Sequence, residues 1–301
     1  MAFLFRDKPQ ENPAGMLKEL MQRKKTTPVI GVFNPASALL VESMGFDAIY
    51  LSGAALTGSL AMPDLGLITL TELVKSTRYI TRITNLPLIV DTDTGFGETI
   101  NVQRTVRDLI GAGAAAIQIE DQVLPKKCGH LKGKKLAPAE EMTRKIIAAK
   151  RIAKDKMLII ARTDARGVEG LDEALRRAKL YEQAGADIIF PEALTNEEEF
   201  REFSKKINIP LLANMTEFGK TPYFTVEDFS KWGYKLVLFP VTLLRISLGA
   251  MRDALRVIKS EGTQRNILDR MMTRQEFYEL IGYYEYEKED NTIYKLSKEI
   301  S

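Results

Sequence analysis

Cysteine and histidine each occur once in this 301-residue sequence, at Cys128 and His130, and tryptophan also occurs once. One cysteine excludes an internal disulfide and fits a reducing compartment. One histidine removes zinc sites built on several His or Cys ligands. A Ser/His/Asp or Cys/His/Asn arrangement would have to use His130, two positions from Cys128, whereas such triads are assembled from distant segments. Any metal should therefore be hard and oxygen-bound: magnesium or manganese held by carboxylates and water. A dominant charge is missing too, since 43 basic and 40 acidic residues leave a net +3 spread along the chain. No basic stripe of the kind nucleic acid requires is present. Long apolar runs are absent, none reaching the roughly 18 residues of a membrane span. The apolar start, Ala2 to Phe5, is broken by Arg6 and Asp7 and is too short for a signal-peptide core. These absences predict a soluble, cytoplasmic protein with neither nucleic acid nor membrane as partner.

What is present is 45% hydrophobic residues, enough for a sizeable core. A helical flank over 1–27 places Met16, Leu17, Leu20 and Met21 on one side. Eight short β-rich runs then follow: Pro28 to Asn34, Ala48 to Gly53, Leu86 to Asp93, Ala114 to Asp121, Met157 to Asp164, Asp187 to Ala193, Ile209 to Met215 and Lys235 to Val241. Stretches of helical period separate them, such as Val102 to Ala112 and Leu171 to Ala184, several closed by glycine at Gly45, Gly113 and Gly185. Repeated strand–helix units mean parallel strands covered by helices. Eight of them predict a (β/α)8 TIM-type barrel rather than an open doubly wound sheet. The whole of 1–301 reads as one domain, with barrel elements over 28–241 and C-terminal helices over 242–301. The long second connection has room for an extra element.

Barrel sites sit at the carboxyl ends of the strands, and here those ends are polar: Asn34; Tyr50, Ser52 and Gly53; Asp91 and Asp93; Glu120 and Asp121; Arg162 and Asp164; Glu192; Asn214 and Thr216; and Arg245 just after the eighth. Turn chemistry alone favours Ser, Gly, Asn and Asp, and does not account for Glu120, Arg162 and Glu192. Asp91 and Asp93, two apart, leave one face and can share a cation. An Asp-x-Asp pair also occurs in solvated loops, but Glu120 and Glu192 aimed at the same mouth favour a metal. The turn Gly95-Phe96-Gly97 lacks the third glycine and βαβ context of a dinucleotide fingerprint. Arg162 and Arg245 suit an anionic substrate gripped through its carboxylates.

Lys126-Lys127-Cys128-Gly129-His130, followed by Lys132, Gly133, Lys134 and Lys135, has no apolar periodicity. A lone cysteine is commonly a small buried hydrophobe. This setting instead predicts an exposed, mobile, cationic loop acting as a catalytic flap, its lysines lowering the thiol pKa from about 8.5. Near the C-terminus, Phe277, Tyr278, Tyr283, Tyr284 and Tyr286 suit packing on the barrel or on another subunit.

The motifs Tyr50-Leu-Ser-Gly, Pro63-Asp-Leu-Gly, Asp91-Thr-Asp-Thr-Gly-Phe-Gly, Ile119-Glu-Asp-Gln, the cysteine loop, Ala161-Arg-Thr-Asp, Phe190-Pro-Glu-Ala, Asn214-Met-Thr-Glu-Phe-Gly and Glu261-Gly-Thr-Gln run nearly the length of the chain. In this order they resemble the isocitrate lyase and phosphoenolpyruvate mutase superfamily, most closely its methylisocitrate lyase branch. The resemblance implies a barrel whose last helix is exchanged between subunits, a homotetramer, and a magnesium-dependent retro-aldol lyase. Such a lyase splits 2-methylisocitrate into pyruvate and succinate in the methylcitrate cycle of propionate catabolism. It also implies Asp91 and Asp93 as metal ligands, Cys128 as the catalytic cysteine, and Ser52, Gly53 and Ala54 as the loop at the keto-acid end. Gly129, Arg162, Glu192, Asn214, Met215, Thr216, Arg245 and Arg274 match substrate-binding positions, while Phe190, Leu238 and Pro240 match the pocket for the extra methyl group. Tyr50 is the candidate base, with Glu120 second. Two departures stand out: Ala54 replaces a common glycine, and Lys127 stands where many methylisocitrate lyases have arginine. The second keeps isocitrate lyase open, although isocitrate lyases carry Asn-Cys-Ser-Pro-Ser where this chain has Asn214-Met-Thr-Glu-Phe. A metabolite-binding barrel without turnover is the reading from another class.

Overall fold

The computed structural model describes residues 12–300, so the apolar start and the rest of the flank before Asn12 lie outside the described residues. Helix α1 (Pro13–Gln22) opens with a proline in its first turn and with Asn12 accepting a hydrogen bond from the Gly15 N–H, both ordinary starts for a helix. Its Ala14, Leu17, Leu20 and Met21 are buried, whereas Met16 is partly exposed. Positions 14, 17, 20 and 21 form the true stripe at 3.6 residues per turn, and Met16 falls off it.

The elements then alternate as read from the sequence: β1 (Thr27–Val32), α2 (Pro35–Ser43), β2 (Ala48–Leu51), α3 (Gly53–Ser59), α4 (Leu70–Thr81), β3 (Leu88–Asp91), α5 (Thr99–Gly111), β4 (Ala116–Glu120), α6 (Ala139–Ala153), β5 (Leu158–Thr163), α7 (Leu171–Gln183), β6 (Ile188–Pro191), α8 (Glu197–Lys206), β7 (Leu212–Asn214), α9 (Val226–Lys231) and β8 (Leu236–Phe239). Three further helices follow: α10 (Thr242–Glu261), α11 (Arg274–Ile281) and α12 (Tyr283–Ile300). The long second connection does hold an extra element, α3 ahead of α4.

All ladders are parallel, in the order β6-β5-β4-β3-β2-β1-β8-β7. Between β6 and β7 the ring closes through one bridge, Ile189 with Leu211, where the Ile189 N–H donates to Pro210 O at 3.0 Å. The result is a (β/α)8 barrel.

Alternation along each strand divides the core in two. Val29, Ala48, Tyr50, Ile89, Ala116, Leu158, Ile160, Ile188, Phe190, Leu212, Leu236 and Leu238 fill the barrel with the buried face of α1. Their neighbours Val32, Ile49, Leu51, Val90, Ile117, Ile119, Ile159, Ala161, Ile189, Ala213 and Val237 pack outward beneath the helices. The same alternation carries the inward rows up to the mouth, where they become Asp91, Glu120, Arg162, Glu192 and Asn214.

The C-terminal helices do not complete the outer layer. No residue of α10 is buried, and an apolar groove of about 500 Å³ stays open over β1 and β8, lined by Ile30, Leu40, Met44, Phe46, Phe239 and Leu243.

Candidate active site

The mouth at the carboxyl ends of the strands is a cavity of about 240 Å³. Tyr50, Ser52, Ala54, Asp91, Cys128, Gly129, Arg162, Phe190, Glu192, Asn214, Thr216, Leu238, Pro240 and Arg245 all line it, with Asp64, Lys126, Lys127, His130 and Val241. Asp93 and Glu120 stand just behind this lining, in contact with it through Lys126 and Arg162. Two expected residues are elsewhere. Met215 has the opposite parity to Asn214 and Thr216, so its side chain joins the outer core, where its sulfur accepts from Phe224 N. Arg274 starts α11 and is exposed, outside this mouth.

One wall is acidic. Gly53 N donates to Asp91 Oδ2 at 3.1 Å, and Asp93 N donates to Asp91 Oδ1 at 3.2 Å. A Cβ placed on Gly53 would lie 3.0 Å from Asp91 Oδ2 and 3.5 Å from Asp93 Oδ1, so both carboxylates converge on that glycine and leave little room for a side chain. Asp93 itself adopts a left-handed φ of 47°, which Asp tolerates better than most residues. Burial, then the charge of Asp91, pushes its carboxyl up to about 6 against the pull of Lys126.

Asp93 Oδ1 and Glu120 Oε1 are buried and find no hydrogen-bond partner among the described residues, although Lys126 Nζ lies 2.8 Å from the former. Buried carboxyl oxygens left without partners are costly, and a cation would satisfy them. Among the described residues no group of three or more His, Cys, Asp or Glu side chains forms a ready cage. The donor set therefore suits a hydrated hard ion on one or two carboxylates, as magnesium prefers.

The opposite wall is organised by Arg162, which is stacked over the Phe190 ring at 5.3 Å. It donates through Nε to Asp164 Oδ2 at 2.9 Å and lies 3.3 Å from Glu120 and 3.5 Å from Glu192. Burial opposes ionisation of Glu192, but Arg162 outweighs it, with His130 and Lys134 helping, and the carboxyl is held below the usual glutamate range. Asn214 Nδ2 donates to it at 3.1 Å. At Glu120 burial wins, reinforced by Asp164 and Asp93 against Arg162 and Lys126, and its pKa rises. Tyr50 donates its hydroxyl to Gln118 Oε1 at 2.6 Å, and burial followed by the charge of Asp91 keeps the phenol protonated. Gln118 is a site neighbour that the sequence reading missed. Its inward parity, two residues before Glu120, is the signal that would have found it.

The cysteine loop corrects two expectations. Its Lys126 and Lys134 are buried and its Lys127, Cys128 and His130 half-buried against the mouth, while Lys132, Gly133 and Lys135 are exposed as expected. Lys126 is paired with Asp64 and Asp93, and Lys134 with Asp164 at 2.7 Å. His130 Nε2 lies 2.8 Å from Glu192, poorly aligned for a hydrogen bond, while its Nδ1 accepts from Lys220 N at 2.9 Å. Nor do the lysines acidify the thiol. Burial pushes Cys128 up, Glu192 adds to this, and the His130 N–H and Arg162 do not offset it. A sulfur that keeps its proton suits a donor rather than a nucleophile.

The chain is similar to proteins of one family. The phosphoenolpyruvate phosphomutase family model matches residues 17–259. A 2-methylisocitrate lyase of Aeropyrum pernix is 62% identical over 300 residues, covering 100% of this chain and 97% of that protein. A crystal structure of 2,3-dimethylmalate lyase superposes with a TM-score of 0.87 at 34% identity, over 95% of this chain and 96% of that one. Phosphonopyruvate hydrolase in complex with oxalate and magnesium superposes at 0.83 with 30% identity, over 92% and 97%. A mouth of paired aspartates, a buried arginine and a protonated thiol thus stands on a chain that belongs to the phosphoenolpyruvate phosphomutase family, in the branch that holds the 2-methylisocitrate lyases.

Proposed function

We propose that this chain cleaves 2-methylisocitrate to pyruvate and succinate by a retro-aldol reaction. The observation that carries the reading is one mouth holding an aspartate pair, a guanidinium and a neutral thiol on a loop folded across it. Arg162, Asn214, Thr216 and Arg245 bind the substrate carboxylates, and the Ser52–Ala54 segment receives the keto-acid end. Asp91 and Asp93, directly or through water, are the residues that would hold magnesium, which when bound supplies charge stabilisation for the keto-acid oxygens.

Tyr50 is the first candidate to take the hydroxyl proton of the substrate, and it would do so as the phenolate, a form that burial and then the charge of Asp91 disfavour and that positive charge beside Asp91 would favour. Glu120 is the second candidate. As the carbon–carbon bond breaks, its electron pair passes onto the departing succinate carbon and the adjoining carboxylate. Cys128 then gives its hydrogen to that carbon. Arg162 and Asn214 offset the charge that grows there, a preorganised contribution that is usually large.

Lys127 favours a second reading, isocitrate cleavage to glyoxylate. Phe190, Leu238 and Pro240 argue against it, because their apolar wall accommodates a methyl group, a preference worth about 1 to 3 kcal/mol. Arg274, remote from its own mouth, and the open groove over β1 and β8 support a homotetramer in which C-terminal helices are exchanged. The compartment inferred is the cytoplasm. Parallel assays on 2-methylisocitrate and isocitrate test the reading. Pyruvate formed with the higher kcat/KM is expected, and preferential glyoxylate formation from isocitrate overturns it.

A further inference from the structure

Lys134 is the best-buried cation of the cysteine loop, with its side chain 1% exposed against 0% for its partner Asp164. It lies on the returning arm of the loop, beside the point where Gln122 and Leu136 bridge and Val123 N donates to Lys135 O at 2.9 Å. From there its ammonium reaches in two directions. It donates to Asp164 Oδ1 at 2.7 Å and to the carbonyl of Gly129, the residue after Cys128. Asp164 is itself fixed, since its N–H donates to Asp121 Oδ1 at 2.9 Å and its carboxylate takes two hydrogen bonds from Arg162, at 2.9 and 3.1 Å. Gly129 is pressed onto the acidic floor. A Cβ there would sit 2.3 Å from Glu192 Cγ and 2.6 Å from an Arg162 nitrogen.

One carboxylate thus joins the arginine of the mouth to the loop that carries the thiol. We propose that Lys134 is the latch of this loop: anchored on Asp164, it clamps the Gly129 carbonyl and so positions Cys128 over the mouth. It is a positioning residue, acting through Cys128. Its place in turnover rests on the function proposed above, whereas its hold on the loop does not. Charge-assisted hydrogen bonds of this kind are among the stronger polar contacts. Other pins, Lys126 on Asp64 and Asp93, the Gln122 side chain on both backbone groups of Lys127, Leu131 N on the Cys128 carbonyl and His130 on Lys220 N, hold residues on either side of Gly129 but not its carbonyl.

Cys128, the only cysteine in the sequence, makes the loop its own reporter. The rate at which a maleimide labels it measures opening in the full-length protein without any substrate. Lys134→Met leaves Asp164 paired with Arg162, so no carboxylate is stranded. Labelling is expected to speed up by about tenfold or more, with kcat on 2-methylisocitrate falling by a similar factor and KM changing less. Unchanged labelling in a variant with a wild-type circular dichroism spectrum overturns the latch. Faster labelling with unchanged kcat overturns its part in proton delivery. If Lys134→Met does not fold, Lys134→Gln is read by the same criteria, and failure of both to fold overturns the proposal by making Lys134 a folding determinant. Because labelling needs no turnover, failure of the latch and failure of the assigned reaction are read separately.

Discussion

Glu120 and Glu192 are both fully buried and both face Arg162, yet their carboxyls are driven in opposite directions. The difference is in what else surrounds them. Glu192 also has Asn214, His130 and Lys134 nearby, whereas Glu120 shares the arginine with Asp164 and feels Asp93. Neighbouring acids separated in this way serve different chemistry at one pH. In the proposed reaction the thiol completes the set as a proton carrier. Cys128→Ser should therefore fold normally and lose kcat by roughly 10² to 10⁴-fold, the usual weight of a positioned proton donor. Wild-type turnover in that variant would remove the sulfur from the reaction. Asp93 gives a thermodynamic test. Folded, it keeps its proton up to about 6, against 3.8 when unperturbed. The folded state binds the extra proton between those values, and stability falls as pH rises through the window. In metal-free protein, Asp93→Asn should thus be more stable than wild type above pH 6, by up to about 3 kcal/mol, with the gain gone below pH 4. Magnesium should raise the melting temperature of wild type more than that of the variant. Denaturant titrations across pH decide it, and a gain that ignored pH would show that Asp93 carries no such strain.

At the scale of elements, the eight strands are legible because short β-rich runs alternate with segments of helical period, and three of the inward rows end in residues, Glu120, Arg162 and Glu192, that turn chemistry does not explain. Period-2 alternation then fixes which strand-end side chains meet: Asp91, Glu120, Arg162, Glu192 and Asn214 share a parity and share the mouth. Applied one residue further, the same rule would have excluded Met215 and included Gln118. The cysteine loop is legible as part of the mouth, which Lys126 to His130 do line, but not in its environment. Lys126 and Lys134 read as solvated charges along the chain, and only the tertiary structure supplies Asp64, Asp93 and Asp164 to bury them. The direction of the thiol shift follows from burial first, with Glu192 adding to it, and the lysines of the loop, engaged with carboxylates, do not oppose it. The stripe of α1 shows the same limit at smaller scale, since Met16 and Leu17 cannot both face the barrel.

For the molecule as a whole, what is unfinished is the outer layer. Half-buried Leu244 begins an apolar stripe that continues through exposed Leu248, Met251, Leu255 and Ile258 of α10. Its alternating three- and four-residue steps form the seam of one helix meeting another. The groove over β1 and β8 lacks the covering that other barrel strands receive. A second copy of this chain supplies both partners if C-terminal helices are exchanged. Leu248→Glu combined with Leu255→Glu should then shift the mass seen by light scattering from tetramer toward smaller species, and carry activity down with it if Arg274 serves a neighbouring mouth. An unchanged mass would exclude α10 from the interface.

The burial that leaves hydrogen on the sulfur of Cys128 has a chemical side effect. The thiolate, not the thiol, is the form that attacks peroxides and alkylating agents, so this sulfhydryl reacts sluggishly with them. The arrangement that would ready it for the proposed delivery to carbon also delays sulfenic acid formation, and with no other cysteine in the chain any oxidised Cys128 lacks an intramolecular thiol to rescue it.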